Sequence, residues 1–151
     1  MKALDYEVAK DLFDCSDDEL ENIGAKRIIV DAYPGYPCRV SLKDAQIGEE
    51  VVAFSYCHHD VFSPYNAQGP IFVRKNIEKA NLPINTLPKM IGHRLLSVRG
   101  YNAIGLMIEA DVIEGTQLAE TIQGFFNNNE VDYIHIHNAK PGCYNFAVIR
   151  A

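Results

Sequence analysis

The segment 132–143 places two histidines, a carboxamide and a thiol within twelve residues of one another. Side chains of a β-strand alternate between its two faces, so a strand here puts His135 and His137 on one face and the isoleucines between them on the other. Imidazole is a general base and a common metal ligand, and a cysteine thiolate is a nucleophile. This segment is therefore the first candidate for a functional site.

The same segment predicts a β-hairpin at the end of the chain. Its strands are predicted over Val131–Asn138 and Cys143–Arg150, each with alternating apolar residues. The inward positions are Ile134, Ile136, Tyr144, Phe146 and Val148. If these apolar faces coincide, His137 lies directly or diagonally opposite Cys143, with β-carbons about 5 to 8 Å apart.

Three interpretations of this thiol and imidazole remain open on spacing alone. Cys143 could be a catalytic nucleophile with His137 as its base, and Asn138 or Asp132 could orient the ring. His135, His137 and a cysteine could supply the three protein ligands that a catalytic zinc usually takes. Alternatively, the pair packs and forms hydrogen bonds without any further role.

The first of these interpretations makes a prediction about reactivity. Of the four cysteines, Cys143 is expected to alkylate fastest at neutral pH, because a neighbouring imidazole and nearby arginines favour the thiolate. The His137→Ala variant should then react more slowly in the same time course followed by mass spectrometry. An unreactive Cys143 in a metal-free protein would contradict both the nucleophile and the ligand interpretations.

A second polar group includes the adjacent histidines His58 and His59 at the end of a predicted strand. Adjacent residues of a regular strand point in opposite directions, so at most one of them is expected to share a face with a given partner. Four arginines could clamp a carboxylate or phosphate: Arg39, Arg74, Arg94 and Arg99. For Arg99, pairing of apolar faces instead predicts a solvated sheet face shared with Glu109 and Asp111.

The order of elements predicts an α+β fold with a largely antiparallel β-sheet. Ser16 and Glu19 form a capping-box pattern for a short N-terminal helix over about 17–23, which Gly24 ends. One amphipathic helix, Thr116–Phe126, precedes the C-terminal hairpin. The other predicted strands are Arg27–Asp31, Cys38–Leu42, Val51–Tyr56, Pro70–Arg74, Arg94–Tyr101 and Gly105–Ile113.

Composition limits the classes of partner and compartment. A chain of 151 residues predicts one domain over 1–151. Its net charge of −6 disfavours nucleic acid and anionic lipid as partners. We find no secretory signal and no apolar run long enough to span a membrane, which predicts a cytoplasmic protein with reduced cysteines.

Several motifs resemble the bacterial domain-of-unknown-function family 1203. They are Pro37–Leu42, Asp44-Ala, Gly48-Glu, Ser63–Tyr65, Gly69–Arg74, His137–Ala139 and Pro141–Tyr144, and together they span almost the full chain. The resemblance implies a bacterial single-domain protein without an assigned activity, so it transfers no catalytic residue. The chemically interesting positions that match its motifs are Cys38, Arg39, Ser63, Tyr65, Arg74, His137, Asn138 and Cys143.

We therefore expect a domain that binds a small polar or anionic molecule, with a thiol-dependent reaction as one option. In that interpretation Arg39 and Arg74 anchor the anion, Cys143 is the thiolate and His137 is the base. The further ligand-binding candidates are Cys38, Ser63, Tyr65 and Asn138. The sequence identifies no cofactor and no oligomeric state.

Two alternatives belong to other classes of function. A non-enzymatic interaction module would use the aromatic segment that contains Tyr33, Tyr36, Phe62 and Tyr65. A metal-binding protein would use His135, His137 and a cysteine.

Overall fold

A computed structural model describes residues 1–150. Its two α-helices are α1 (Asp17–Asn22) and α2 (Leu118–Asn127). The strands are β1 (Lys26–Ile29), β2 (Glu50–His59), β3 (Ala67–Arg74), β4 (Leu95–Tyr101), β5 (Met107–Glu114), β6 (Tyr133–Asn138) and β7 (Tyr144–Ile149). Short 3-10 helices cover Tyr6–Val8, Lys10–Phe13, Lys89–Ile91 and Gly115–Gln117. The predicted α+β class is confirmed.

The start of α1 follows from its capping box. Ser16 accepts a hydrogen bond from the backbone N–H of Glu19, and the Glu19 carboxylate accepts one from the backbone N–H of Ser16. Acidic side chains in the first turn lie near the positive end of the helix dipole. Gly24 follows the helix with a φ of 70°, which a glycine adopts without strain.

The strands form two antiparallel sheets. The three-stranded sheet has the order β1-β2-β3, and the four-stranded sheet has the order β5-β4-β6-β7. Three bulges interrupt the pairing, at His58 in β2, at Ile108 in β5 and at Asn145 in β7. A bulge changes which face the following side chains occupy, so these three irregularities decide the composition of the polar face described below.

The largest of three buried apolar clusters lies on one face of the four-stranded sheet, where α2 packs. Leu118 and Phe125 of this helix belong to a buried cluster with residues of β4, β6 and β7. The strand residues of that cluster are Leu96, Val98, Ile134, Ile136, Phe146 and Val148. Their period of two leaves Ser97, Arg99, His135 and His137 on the opposite face. Within residues 1–150, no helix has the length and apolar character needed to cross a bilayer.

One predicted strand is wrong. The segment 38–42 forms a tight turn in which the backbone N–H of Leu42 donates to the carbonyl of Cys38, and Leu42 has a φ of 51°. Isolated bridges from Pro37 to Asp44 and from Cys38 to Phe72 hold this turn in place. Its β-branched and apolar residues are buried by tertiary packing rather than by strand pairing, which explains the failed prediction.

Candidate functional site

The bulge in β2 directs both of its terminal histidines toward the four-stranded sheet. Cys57 pairs with Gln68 and His59 pairs with Ala67, so His58 is the extra residue. The rings of His58 and His59 both contact the ring of His135, at centroid distances of 6.1 and 5.0 Å. The expectation that only one of them shares a face with a partner is therefore wrong, because it assumed a regular strand.

Four of the five histidines of the chain form one group, which we call the histidine cluster: His58, His59, His135 and His137. The His58 and His137 rings are 5.0 Å apart, and those of His135 and His137 are 6.1 Å apart. Three tyrosine rings surround the cluster: Tyr101, Tyr133 and Tyr144. The cluster thus has aromatic walls on the polar face of the four-stranded sheet.

Strand β4 adds an arginine to this face. Arg99 pairs across the strands with His135, and Ser97 pairs with His137. The Nε atom of Arg99 donates to the hydroxyl of Ser97 at 3.1 Å. Among residues 1–150 the Arg99 guanidinium forms no salt bridge. The cluster therefore faces an uncompensated positive charge.

The predicted partners of Arg99 lie on the other face of the sheet. Arg99 pairs with Ala110, whereas Glu109 pairs with Gly100 and Asp111 pairs with Val98. The true pairing differs by one residue from the predicted one, and a shift of one residue exchanges the two faces of a strand. The predicted solvated charge pattern with Glu109 and Asp111 is therefore wrong, and Arg99 lacks these two carboxylates as neighbours.

Hydrogen bonds indicate the tautomer of His59. Its Nδ1 is 2.6 Å from the carbonyl oxygen of Tyr65, which can only accept, so the ring proton lies on Nδ1. Its Nε2 is 2.7 Å from the hydroxyl of Tyr133 and accepts the hydrogen bond from it. Both ring nitrogens of His59 are thus occupied within the protein, and this residue positions the other side chains.

His137 is held in the same tautomer but has a free acceptor. Its Nδ1 donates to the carbonyl of Gly142 at 2.9 Å, which leaves a lone pair on Nε2. Nε2 is buried and has no hydrogen-bond partner among residues 1–150. The same holds for Nδ1 of His58 and Nδ1 of His135. Three unpartnered ring nitrogens in one cluster are unusual, because buried polar atoms are ordinarily paired.

Burial and positive charge keep these imidazoles neutral. Burial, with the other cluster histidines and Arg99, lowers the pKa of His135 to about 3. Burial also lowers the pKa of His137 to about 3, with Arg99 and His58 acting in the same direction. The pKa of His58 is lowered mainly by burial. At neutral pH the site therefore combines neutral imidazoles with one guanidinium.

The predicted pairing of His137 with Cys143 is wrong. From Tyr133 to Ile136 the hairpin has the predicted even register, but Asn145 is an extra residue, so His137 pairs with Tyr144. The bulge also moves the Tyr144 ring to the histidine side, at 5.7 Å from the His137 ring, and away from the apolar face predicted for it.

The Cys143 thiol itself is half-buried and forms a hydrogen bond, at 3.9 Å, with the carbonyl of Pro141. Its role as a nucleophile, and the alkylation order of the four cysteines, stay predictions. In the observed pairing, Cys143 does not lie directly opposite a histidine of β6.

Arg39 and Cys38 lie together in the interior, and their contacts are structural. The Arg39 side chain is 1% exposed and donates from Nε to the carbonyl of Tyr144 and from Nη1 to the carbonyl of Pro37. Burial lowers the pKa of Arg39 to about 10. The Cys38 sulfur accepts hydrogen bonds from the backbone N–H groups of Ser41 and Arg74.

The other candidates from the sequence are spread over several places. Arg74 pairs with Glu49, and this contact lowers the pKa of that carboxyl group. The Ser63 hydroxyl donates to the carbonyl of Gly105 at 2.9 Å. The Asn138 side chain accepts from Asn145 at 2.9 Å. Besides His137, the candidate Tyr65 contacts the histidine cluster: its backbone carbonyl accepts a hydrogen bond from Nδ1 of His59.

The metal interpretation receives no geometric support in its predicted form. Among residues 1–150, no three histidine, cysteine, aspartate or glutamate side chains are arranged as a ligand set for a metal ion. The positive charge of Arg99 next to the cluster also disfavours a cation.

Sequence reasoning named Arg99 as one of four possible anion clamps, and it missed Tyr101, Tyr133 and Tyr144 as site residues. The alternation of Tyr133, His135 and His137 in one predicted strand was a usable signal, since all three point to one face. Tyr144 carried no such signal, because its side depends on the bulge at Asn145.

Comparison with known protein families gives a match over most of the chain. The model of a family described as "Protein of unknown function (DUF1203)" matches residues 35–150. Searches among curated proteins and among solved structures return no match. The matched range includes every residue of the histidine cluster and Arg99.

Proposed function

We propose that this chain, which belongs to the DUF1203 family, binds a small hydroxylated anion. The family itself has no assigned activity. The binding site is the histidine cluster together with Arg99 and Ser97. The observation that supports this best is the unpaired Arg99 guanidinium, which lies beside three imidazoles whose ring nitrogens lack partners.

The anionic part of the ligand follows from Arg99. A guanidinium binds a carboxylate or phosphate through two parallel N–H donors, and such charge-assisted bonds are about twice as strong as neutral ones. Most other arginines of this protein already pair with carboxylates, as Arg27, Arg74 and Arg94 do. Arg99 also lies on a strand of the sheet rather than on a mobile loop, which limits the entropy lost on binding.

The hydroxyl part follows from His137. Its Nδ1 proton is committed to the Gly142 carbonyl, so Nε2 can only accept a hydrogen bond. A buried acceptor without a partner costs about 1 to 3 kcal/mol, and a ligand hydroxyl would remove that cost. A hydroxycarboxylate supplies both groups at once.

The same geometry favours binding over proton-transfer catalysis. A general base works best when the pKa of its conjugate acid is near the working pH. With a pKa of about 3, His137 is a weak base at neutral pH, although it remains a good hydrogen-bond acceptor. The proposed role of His137 is therefore recognition of the ligand.

The experiment compares malate with succinate, which differ by one hydroxyl, and with inorganic phosphate. Thermal unfolding is followed with each anion, against sodium chloride at matched ionic strength. We expect all three anions to raise Tm above the chloride control, and malate to do so more than succinate. Isothermal titration then gives Kd for each anion, with malate expected to bind about 5 to 100 times more tightly than succinate.

Two variants connect these effects to the proposed residues. Arg99→Gln should abolish the stabilisation by all three anions, whereas His137→Gln should remove only the difference between malate and succinate. Arg74→Gln is the matched control, because Arg74 already pairs with Glu49 and should leave anion binding unchanged. Equal stabilisation of the wild type and Arg99→Gln would contradict the proposal, as would a tightly bound metal in the purified protein.

The interaction module is the weaker alternative. Phe62 is fully exposed and Tyr33 is 57% exposed, but Tyr36 packs on Phe72 and donates to Asp31. Tyr65 instead packs near Tyr101. The aromatic residues of that hypothesis therefore contact different parts of the fold and do not define one common surface.

A further inference from the structure

A cleft lies on the α2 side of the four-stranded sheet, opposite the histidine cluster. Its volume is about 640 Å³, within the range of small-molecule sites. Helix α2 and strand β7 form two of its walls, and the chain near Ile84 and Leu87 forms another. We call it the α2 groove; its apolar lining includes Ala119, Ile122, Phe126 and Val148.

The α2 groove has a positive charge and no negative one. Arg150 supplies the positive side chain, and no acidic residue lines the groove. This is notable in a chain with a net charge of −6. Arg150 is held in place by hydrogen bonds to the carbonyls of Phe126, Asn128 and Val131, which leave two of its five N–H donors free. Lys2 also borders the groove, but it pairs with Ala147, so its side chain starts from the face of the histidine cluster.

We propose that the α2 groove binds one long-chain carboxylate, with the aliphatic chain along Ile122 and Phe126 and the carboxylate at Arg150. The apolar lining removes the chain from water, and the guanidinium selects an anionic head group over a neutral one. This site is independent of the anion site at Arg99, because Val148 and His135 lie on opposite faces of the sheet.

The first test is titration calorimetry with dodecanoate and dodecan-1-ol, both below their micelle or solubility limits. We expect saturable binding of one dodecanoate, and binding of the alcohol that is at least about threefold weaker. Shortening the carboxylate to decanoate should weaken binding by about fourfold for each methylene removed. Equal affinity for acid and alcohol would overturn the assignment of Arg150.

Variants locate the binding on the molecule. Ala119 is exposed at the start of α2 and lines the groove, so Ala119→Glu places a carboxylate in it without disturbing the core and should abolish dodecanoate binding. Gly124→Glu adds the same charge on the same helix outside the groove, where a Cβ atom meets nothing within 4 Å, and should bind normally. Arg150→Gln should reduce dodecanoate affinity to that of the alcohol, whereas Lys26→Gln should not.

Two other occupants of the α2 groove would contradict this proposal. Dimerisation that Ala119→Glu abolishes, without any dodecanoate binding, would assign the groove to a second copy of the chain. Binding to anionic vesicles without binding of free dodecanoate would assign it to a membrane surface. Either result would overturn the binding of a free carboxylate, as would unchanged dodecanoate binding by Ala119→Glu.

Discussion

Acidification from pH 6.5 towards pH 3 is expected to remove several kcal/mol of folding free energy through His135 and His137. Their pKa values fall to about 3 in the folded protein from the ordinary histidine value of 6.5. In this window the unfolded chain binds protons that the folded chain does not. Each imidazole therefore lowers the stability by up to about 1.4 kcal/mol for each pH unit. Above pH 6.5 this contribution is fully present.

Burial and the neighbouring charges explain why the pKa values of the two imidazoles are lowered rather than raised. Arg99 of β4 and Arg39 of the turn before β2 are positive, and His58 of β2 disfavours a further positive charge. Tyr144 of β7 is the aromatic neighbour of both rings, and burial raises its pKa, so it stays neutral. No charge among these groups would stabilise an imidazolium.

Urea unfolding at pH 7, 6 and 5 measures this dependence. His135→Gln should reduce the slope of the unfolding free energy against pH by up to about 1.4 kcal/mol for each unit. His93→Gln is the control, since its side chain is 47% exposed and lies outside the histidine cluster. The carboxyl groups with lowered pKa values, such as Glu49 and Glu50, affect the wild type and both variants alike.

Equal slopes of the unfolding free energy against pH for the wild type and His135→Gln would contradict the lowered pKa of His135. Proton NMR of the imidazole resonances in the folded wild type provides a second measurement, which does not depend on the stability of a variant. His135 and His137 should show no titration above pH 5.

Local patterns in the sequence predicted the elements well where neighbouring residues decide the structure. The capping box at Ser16 and Glu19 and the amphipathic pattern of α2 both gave the correct helix. The hairpin of β6 and β7 was also predicted, since its apolar alternation is regular as far as Ile136. In each case the signal lies within a few residues of its effect.

The candidate site was harder to predict because it depends on three irregular positions in the strands. The bulge at His58 brings two adjacent histidines to one side, and the one at Asn145 moves Tyr144. The shift of one residue in the pairing of β4 with β5 moves Arg99 away from the predicted acids. Contacts between distant segments set the bulges and the register. The alternation of side chains along one strand carries no information about those contacts.

Most motif residues that looked chemical instead hold the backbone together. Arg39 connects the turn after Pro37 to β7 through the Tyr144 carbonyl, and Ser63 connects its loop to Gly105. A sequence motif with polar residues therefore indicated a structural role as readily as a functional one. The partners show the difference. These residues bind backbone groups, whereas the Arg99 guanidinium contacts the hydroxyl groups of Ser97 and Tyr101 and no carboxylate.

Phe125→Ala is expected to lower the free energy of unfolding by about 3 to 5 kcal/mol. The Phe125 side chain is 8% exposed and belongs to the main core cluster between α2 and the four-stranded sheet. Its ring lies over Gly100, where a Cβ atom would come within 3.1 Å of Cδ2. Removal of the ring leaves a cavity that the rigid sheet cannot close. Urea unfolding at pH 7.5 measures the loss.

Phe126→Ala is the matched control for Phe125→Ala, because it makes the same change one position later on the same helix. Phe126 is half-buried beside Arg150, so its truncation should cost clearly less. Similar losses for the two variants would contradict the assignment of the buried face of α2.

A double-mutant cycle with Gly100→Ala tests the contact between Phe125 and Gly100 itself. Alone, Gly100→Ala should destabilise the protein, because its methyl group would crowd Phe125 and Val131. In the Phe125→Ala background the same methyl group enters the vacated space, so its cost should fall. The coupling expected for residues in contact is about 0.5 to 3 kcal/mol. A cost of Gly100→Ala that is the same in both backgrounds would show that the Phe125 ring does not lie on Gly100.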